Sequence, residues 1–542
     1  MHKAANPAHA ERMSSLCRHI LDLDRRGLLR GATAMAALAA TRPALAQLAP
    51  DLALQQNPFT LGVASGDPRP DGMVLWTRLA PDPLAPMGGL PHVAQQVGWD
   101  IAEDDTFSRI VQSGTALARP ELGFSVHVEV AGLAPSRPYW YRFHTRQATS
   151  PTGRTRTVPA ADAMPDRFRL VSAGCQNWEH GHFTAWRHIA EEAELDAVFH
   201  YGDYIYESGA RLPGSRGRVP SVRPHAGEET YALDDYRQRY AQYRGDPDLA
   251  AAHAAHPFIA TFDDHEVDNN WAGASSEEDG SARHPILVPP EIFALRKAAA
   301  FQAWYEAMPV RASVMPRGDV IRAHRRLRFG RLVSLHALDT RQFRDDQPCG
   351  DVTGPPCEAV TRPDAQMLGT AQETWLLDGL AQRPARWEIL AQQVMMMCRE
   401  LPQDAISMDK WDAYPAARAR LLAGLRERRV ANAVVLSGDV HTAWAGSILG
   451  EDGVAIATEF TAPSISSEGD GSEAQNSTEE ILRRNPHIAF FNNRRGYTLH
   501  EATAGRMETI FRALPYVSRP GAPREDKARF VLEHGRPLLH RA

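Results

Sequence analysis

The sequence predicts an α/β protein whose first domain is built from β-strands alone. Between residue 47 and about residue 160, short strand-like runs are separated by Gly, Pro and Asp, a pattern typical of an all-β domain. From Phe168 onward, apolar strand-like runs alternate with helical stretches, which predicts a layered α/β domain. We expect a final helix after Pro520. We therefore expect a β domain over residues 47–160 and an α/β domain over residues 161–542.

One short motif narrows the type of the β domain. Leu133-Ala134-Pro135 is followed by Tyr139-Trp140-Tyr141, and this order resembles the tyrosine corner of fibronectin- and immunoglobulin-like sandwiches. In such a corner, a tyrosine hydroxyl ties a loop to the backbone. The motif predicts a small sandwich of the seven-stranded type, which carries no residues that indicate chemistry.

The N-terminus has the three regions of a twin-arginine export signal. Arg25-Arg26 precedes a weakly apolar, alanine-rich stretch, and the small residues Ala44-Leu45-Ala46 form a cleavage site. The alternative is a buried helix that begins with two arginines, but the order of the regions favours a signal over residues 1–46. We therefore expect the twin-arginine export machinery as a partner and a periplasmic or secreted bacterial protein. No stretch is long and apolar enough for a transmembrane segment.

Composition and cysteine usage limit the function classes. The net charge of −6 provides no global positive field, so the sequence carries no nucleic-acid-binding signature. Cys349 and Cys357 flank a loop rich in Gly and Pro and could form a disulfide in an oxidising compartment. Cys398 lies in an apolar context, which predicts a buried free thiol.

Potential metal ligands follow four of the predicted strands. The apolar run from Ala197 to Phe199 ends in Tyr201-Gly202-Asp203, which presents a carboxylate at a strand tip or, alternatively, caps a following helix. Ligands bind outside the carboxyl ends of strands in open α/β sheets, and the same pattern recurs along the chain. The candidate ligands at these ends are Cys175, Asp203, Tyr206, Asp264, His265, Asp439 and His441.

The candidate ligands differ in the metals that they prefer to bind. A thiolate and a phenolate suit a transition metal such as ferric iron, whereas carboxylates suit calcium or magnesium. Two cations about 3.5–4 Å apart can clamp a phosphate and activate a bound water. Each residue alone could have an ordinary structural role. The presence of ligand-type residues at the ends of four separate strands, however, favours a metal site.

The motifs GCQN, GDYIYE, FDDHEVDNN and SGDVH occur in the order seen in calcineurin-like metallophosphoesterases and resemble those of PhoD-type alkaline phosphatases. The segments VASGDPRPDGMVLWTRL and DTRQFR and the export signal extend the resemblance over nearly the whole chain. The resemblance implies a metallophosphoesterase domain of two sheets flanked by helices. It also implies one ferric ion with one or two calcium ions, although other divalent metals are possible.

The resemblance also implies roles for individual residues. Asp203 matches the carboxylate that bridges the metals, and His265 matches a histidine that contacts substrate or protonates the leaving group, so both are candidate catalytic residues. The implied metal ligands are Cys175, Asp203, Tyr206, Asp264, Asp439 and His441. The roles of Asp263, Asn269, Asn270 and Arg341 stay open; Arg341 would either bind phosphate or form a structural salt bridge.

Together these features predict an exported, metal-dependent alkaline phosphatase. It would hydrolyse phosphate monoesters, and diesters as well, by attack of a metal-bound hydroxide, and would release inorganic phosphate. One alternative is a phosphodiesterase or phospholipase-like hydrolase with the same metal site. A second alternative, a secreted non-catalytic binding protein, is disfavoured because every ligand position of the motifs holds a ligating residue type.

Overall fold

The computed structural model describes residues 56–211, 219–276, 287–382 and 385–542. The predicted export signal lies outside the described residues. Within them, no helix has both the length and the apolar character needed to cross a membrane.

The first seven strands form two antiparallel layers. One layer has the order β1-β2-β5, and the other has the order β4-β3-β6-β7. The seven strands are β1 (Val63–Arg69), β2 (Gly72–Arg78), β3 (Gln95–Ala102), β4 (Ile110–Ala118), β5 (Ser125–Val130), β6 (Pro138–His144) and β7 (Gly153–Arg156).

Alternating apolar side chains of the two layers fill the space between them. Leu75, Ile101, Val126 and Phe143 belong to this core, and each such side chain stabilises the fold by about 1.5–3 kcal/mol. At the predicted tyrosine corner, the Tyr139 hydroxyl accepts a hydrogen bond from the backbone N–H of Ala134 at 3.0 Å. The corner contact is present, while the fibronectin- or immunoglobulin-like type of the sandwich stays a prediction.

The remaining strands form two sheets that lie face to face. They are β8 (Phe168–Ala173), β9 (Ala197–His200), β10 (Pro257–Ala260), β11 (Arg325–Phe329), β12 (Val333–Ala337), β13 (Trp387–Ala391), β14 (Ala433–Ser437), β15 (Ala443–Leu449), β16 (Ala455–Thr461), β17 (Gly471–Ser472), β18 (Ile488–Ala502), β19 (Arg506–Leu514), β20 (Glu525–Glu533) and β21 (His540–Arg541). The first sheet runs β10-β9-β8-β18-β19-β20-β21, and the second runs β11-β12-β13-β14-β16-β15-β18. The two-residue strand β17 pairs with the middle of β18, between these two sets of pairings.

Strand β18 belongs to both sheets because of its length. Its first residues pair with β15, and its last residues pair with β8. The first sheet also continues into the N-terminal layers, since β1 pairs in parallel with β10 through Ser65 and Gly66. The N-terminal strands are therefore joined to the α/β part by backbone hydrogen bonds, which the prediction of a separate β domain did not include.

Helices cover the outer face of each sheet. Helices α1 (Thr184–Ala190), α2 (Leu233–Arg244), α3 (Pro247–Ala255) and α4 (Pro290–Ala307) pack on the first sheet, and helices α5 (Gly369–Ala381), α6 (Pro415–Glu427) and α7 (Thr478–Arg484) pack on the second. A third apolar core, with Phe199, Ile259 and Leu335, lies between the sheets. The predicted α/β class is therefore correct, and the two sheets have helices on both outer faces.

One expectation for the C-terminus is wrong. Pro520 suggests the start of a final helix, but residues Glu525–Glu533 form strand β20 beside β19. Every second residue of this segment, namely Ala528, Phe530 and Leu532, is buried. A period of two is typical of a strand and not of a helix.

Candidate metal centre

The carboxyl ends of parallel strands from both sheets meet at one edge of the molecule. Strands β8, β9 and β10 run parallel in the first sheet, as do β12, β13 and β14 in the second. Three groups of potential metal ligands lie there, and within each group the ligand atoms are within 4.8 Å of one another. The groups are Cys175 with Asp203 and His441; Asp203 with Asp264 and His265; and Asp263 with Asp264 and Asp439.

These groups contain six of the seven ligand-type residues that the sequence singles out at the strand ends. The seventh, Tyr206, contacts two members of the first group. Its hydroxyl lies 3.0 Å from Asp203 Oδ2 and 3.1 Å from His441 Nε2. Asp203 and Asp264 each belong to two of the three groups, and a bridging carboxylate would have such a position. The individual roles of these residues stay predictions.

Sharp turns of the backbone direct these side chains into the centre. Cys175, Asp203 and Asp439 have left-handed φ angles of 50°, 54° and 67°. Non-glycine residues seldom adopt this conformation, and it clusters at functional sites. Gly202, which precedes Asp203, has φ of 130°, and a Cβ atom there would lie 2.4 Å from the backbone N of Asp263. Only glycine allows the two strand ends to approach so closely.

Glu266 fixes two of these strand ends to each other. Its Oε2 accepts hydrogen bonds from the backbone N–H of Asp203 at 3.0 Å and of Asp263 at 2.9 Å, and its Oε1 accepts from Tyr204 N–H at 2.6 Å. The carboxylate is 1% exposed. The sequence prediction did not single out Glu266, although its place directly after His265 in the motif was the available signal.

His265 is held by a second carboxylate that the sequence prediction did not assign a role. Its Nδ1 lies 2.7 Å from Glu207 Oε2, and its ring packs on Tyr206 with centroids 4.0 Å apart. Glu207 Oε1 also accepts from the backbone N–H of Asn269. Burial alone would lower the pKa of His265, but Glu207, followed by Asp264, raises that pKa well above its ordinary value.

Arg341 lies among several carboxylates on the side of the second sheet. It is fully buried; its Nε donates to Asp263, its Nη1 to Asp409 at 2.7 Å and its Nη2 to Asp439 at 3.2 Å. All three nitrogens are thus engaged by carboxylates. Of the two possibilities that the sequence left open, the structural salt bridge describes Arg341.

Two further polar residues complete the surroundings. Lys410 contacts both Asp409 and Asp439 through its ammonium group. Ser467 Oγ lies 2.6 Å from the Tyr206 hydroxyl and donates to the backbone C=O of Cys175 at 2.8 Å. Neither residue belongs to a recognised motif, and both reach the site from loops far away in the sequence.

The donor set fits bound cations. Asp203 Oδ1, Asp263 Oδ2 and Asp264 Oδ1 are buried, and none of them accepts a hydrogen bond from the described residues. A buried carboxylate oxygen without a partner is costly, and a cation removes that cost. Burial, followed by the charge of Asp203, raises the pKa values of the Cys175 thiol and the Tyr206 phenol well above their ordinary range. Both groups therefore need a cation nearby to ionise.

The cysteines outside the centre have structural surroundings. Cys349 and Cys357 form a disulfide with Cα atoms 5.9 Å apart, so the pairing that the spacing allowed is present. Cys398 is a free thiol and is only partly buried, which corrects the expectation of a fully buried one.

Comparisons with known proteins identify the family of this chain. A model of the PhoD-like phosphatase family matches residues 170–511, and a model of the N-terminal domain of PhoD-like phosphatases matches residues 44–159. Alkaline phosphatase D of Bacillus subtilis (strain 168) is 44% identical over 483 residues, which cover 88% of this chain and 81% of that protein. A solved structure described as that of PhoD is 43% identical, has a TM-score of 0.86 and covers 91% of this chain and 93% of that one. The predicted family is therefore confirmed, and with it the class of phosphoric ester hydrolase: this chain belongs to the PhoD-like phosphatases.

Proposed function

We propose that this protein is an exported, metal-dependent alkaline phosphatase that hydrolyses phosphate monoesters, and diesters as well, and releases inorganic phosphate. The observation that carries the proposal is the meeting of a thiol, a phenol, two imidazoles and four carboxylates at the strand ends. The relative from Bacillus subtilis bears the name alkaline phosphatase D, which supports the same activity.

The proposed cofactors are one ferric ion and one or two calcium ions. Cys175, Tyr206, Asp203 and His441 would hold the iron, because a thiolate and a phenolate suit a ferric ion. Asp203, Asp264 and Asp439 would hold calcium, which prefers carboxylate oxygens. The buried oxygens Asp203 Oδ1 and Asp264 Oδ1, which accept no hydrogen bond from the described residues, support this division of the ligands. Bound cations would supply charge neutralisation at the phosphoryl oxygens and activation of a water molecule.

The chain itself would supply a proton donor and its orientation. With its Nδ1 held by Glu207 at 2.7 Å, His265 keeps only Nε2 to donate a proton. Burial lowers the pKa of His265, but the charges of Glu207, Asp264 and Asp203 together raise it well above its ordinary value, which favours the charged imidazole. His265 would therefore protonate the oxygen of the leaving group. Glu266 and Gly202 position Asp203 without touching substrate.

Two features support export to an oxidising compartment. The sequence carries Arg25-Arg26 ahead of an apolar stretch and a small-residue cleavage site, as twin-arginine signals do. The disulfide between Cys349 and Cys357 is of a kind that persists mainly outside the cytosol. We infer a periplasmic or secreted protein that uses the twin-arginine export machinery.

For the domains, we retain the predicted division. The order β4-β3-β6-β7 and the Tyr139 corner support a fibronectin- or immunoglobulin-like sandwich over residues 47–160. The two facing sheets with outer helices support a metallophosphoesterase domain over residues 161–542. Trp76 Nε1 donates to the backbone C=O of Glu306 at 2.8 Å and ties one part to the other.

The test is hydrolysis of p-nitrophenyl phosphate and bis(p-nitrophenyl) phosphate by the purified mature protein, with added calcium and with a chelator. We expect calcium-dependent turnover that the chelator abolishes. A higher rate on the diester would favour the phosphodiesterase alternative. Absence of turnover on both esters, together with absence of bound metal, would contradict the proposal.

A further inference from the structure

The disulfide between Cys349 and Cys357 closes a loop that reaches the candidate metal centre. Both ends of this loop lie at the protein surface, where Cys357 is exposed and Cys349 is partly buried. The loop is also attached to a neighbouring segment, since Gly354 and Ile406 exchange backbone hydrogen bonds of 3.1 and 2.9 Å. Between its two cysteines, the loop is therefore anchored at its ends and near its middle.

Asp351, within this loop, contacts the motif that follows strand β10. Its Oδ2 accepts a hydrogen bond from Asn270 Nδ2 at 2.8 Å. Both residues adopt left-handed backbone conformations, with φ of 52° for Asp351 and 53° for Asn270. This conformation sets the direction in which each side chain leaves the backbone. Gln347, which lies two residues before Cys349, donates to the backbone C=O of Asn270 and to Asp409 Oδ1. Asn270 is thus bound to this region from two sides.

Asn270 in turn holds a candidate calcium ligand. Its backbone N–H donates to Asp264 Oδ2 at 2.9 Å. The other oxygen, Asp264 Oδ1, is buried and accepts no hydrogen bond within the described residues. Because one oxygen is tied to Asn270, the direction of the second oxygen is set. The position of Asn270 therefore decides where Asp264 presents its coordinating atom.

From this chain of contacts, we propose that the disulfide-closed loop from Cys349 to Cys357 supports the calcium site at Asp264, and that Asp351 is its positioning residue. The loop acts through Asn270, whose described hydrogen bonds reach Asp264 and not the proposed iron ligands. A direct hydrogen-bond partner of a metal ligand, which is the position of Asn270, typically changes metal affinity by about 10–100-fold when it is removed. Asp351 lies one contact further out, so we expect an effect at the lower end of this range. The inference rests on the proposed function, because it assumes that Asp264 binds a cation.

The experiment measures calcium affinity and iron content separately. Protein purified with its iron is freed of calcium by dialysis, the calcium Kd is measured by isothermal titration calorimetry, and iron is measured by mass spectrometry. We expect Asp351→Ala and Cys357→Ser each to raise the calcium Kd about tenfold with unchanged iron content. Asp351→Asn keeps an acceptor for Asn270 Nδ2, and we expect its calcium Kd to stay within about threefold of the wild type.

Cys398→Ser is the matched control, since Cys398 is a free thiol outside the loop. An unchanged calcium Kd in Cys357→Ser or Asp351→Ala would overturn the inference. Loss of iron together with calcium in both variants would also overturn it, because the loop would then support the domain as a whole. Wild-type protein that binds no calcium would contradict the proposed function instead.

Discussion

Glu207 Oε2 lies 2.7 Å from Nδ1 of His265, and both side chains are removed from most of the solvent. The pair joins the loop after β9 to the loop after β10. A carboxylate on one imidazole nitrogen fixes the orientation of the ring and leaves the other N–H free to face a substrate. In the proposed mechanism, His265 would be the proton donor and Glu207 its positioning residue.

Replacement of Glu207 by Gln should lower kcat more than it changes KM, by about tenfold or more, because the fixed charge behind the imidazole is lost. The loss should be larger for an alkyl phosphate than for p-nitrophenyl phosphate, since a poor leaving group depends more on protonation. Steady-state kinetics with both esters measures this difference. Glu525→Gln, at an exposed ion pair with Lys527, is the control. Equal losses on both esters would assign Glu207 a structural role only.

The phenol of Tyr206 should bind the proposed ferric ion. Tyr206→Phe should therefore abolish a visible phenolate-to-iron absorption band of the purified protein, while the protein stays folded. Tyr204→Phe is a close control, because Tyr204 is also buried but its hydroxyl lies 2.9 Å from His253 Nε2, whereas the Tyr206 hydroxyl contacts Asp203. A wild-type protein without colour, or a Tyr206→Phe variant that keeps the band, would contradict the assignment of iron.

Sequence patterns can predict the strand ends but not the loops that surround them. Apolar runs that stop at a glycine or an acidic residue mark where β9 and β14 end, and parallel strands bring such ends to one edge. Asp203 and Asp439 are therefore accessible to sequence reasoning. Ser467 is not, because it contacts Tyr206 over a separation of 261 residues and lies in a loop without periodicity.

The pairing of β1 with β10 and the C-terminal strand β20 differ in how far the sequence could predict them. Pairing of β1 with β10 depends on the register between two segments almost 200 residues apart, which no local pattern encodes. At the C-terminus, the alternation of Ala528, Phe530 and Leu532 indicates a strand, whereas Pro520 is typical of a residue at the start of a helix. Antiparallel pairing with β19 stabilises residues Glu525–Glu533 as a strand.

Glu266 provides a prediction about backbone order at the centre. Glu266→Gln replaces one acceptor oxygen with an amide N–H₂ that faces backbone N–H groups, so at least one buried donor loses its partner. This should lower the free energy of unfolding by about 1–3 kcal/mol. It should also speed hydrogen exchange at the amides of Asp203, Tyr204 and Asp263, measured by mass spectrometry of peptides. Glu388→Gln, a buried carboxylate that binds His336, should leave exchange at those amides unchanged.

His500 provides a prediction about acid stability. Its ring is 1% exposed and lies between Ser172 Oγ at 3.1 Å and Thr509 Oγ1 at 2.9 Å. Burial lowers the pKa of His500 to about 3, against about 6.5 in an unfolded chain. Between these two values the unfolded chain binds a proton that the folded protein does not, so stability falls as pH falls below about 6.5.

The contribution of His500 can be separated from that of other groups by its replacement. His500→Gln, which keeps polar atoms near both hydroxyls, should be less stable than the wild type at pH 7.5, but the difference should narrow by about 2 kcal/mol between pH 6.5 and pH 4.5. Urea unfolding followed by tryptophan fluorescence at several pH values measures this change. His92→Gln, at an exposed position, should run parallel to the wild type. A constant difference in the free energy of unfolding between His500→Gln and the wild type over this range would contradict the prediction. His500 would then bind its proton equally in the folded and the unfolded protein, and burial between β8 and β19 would not keep it neutral.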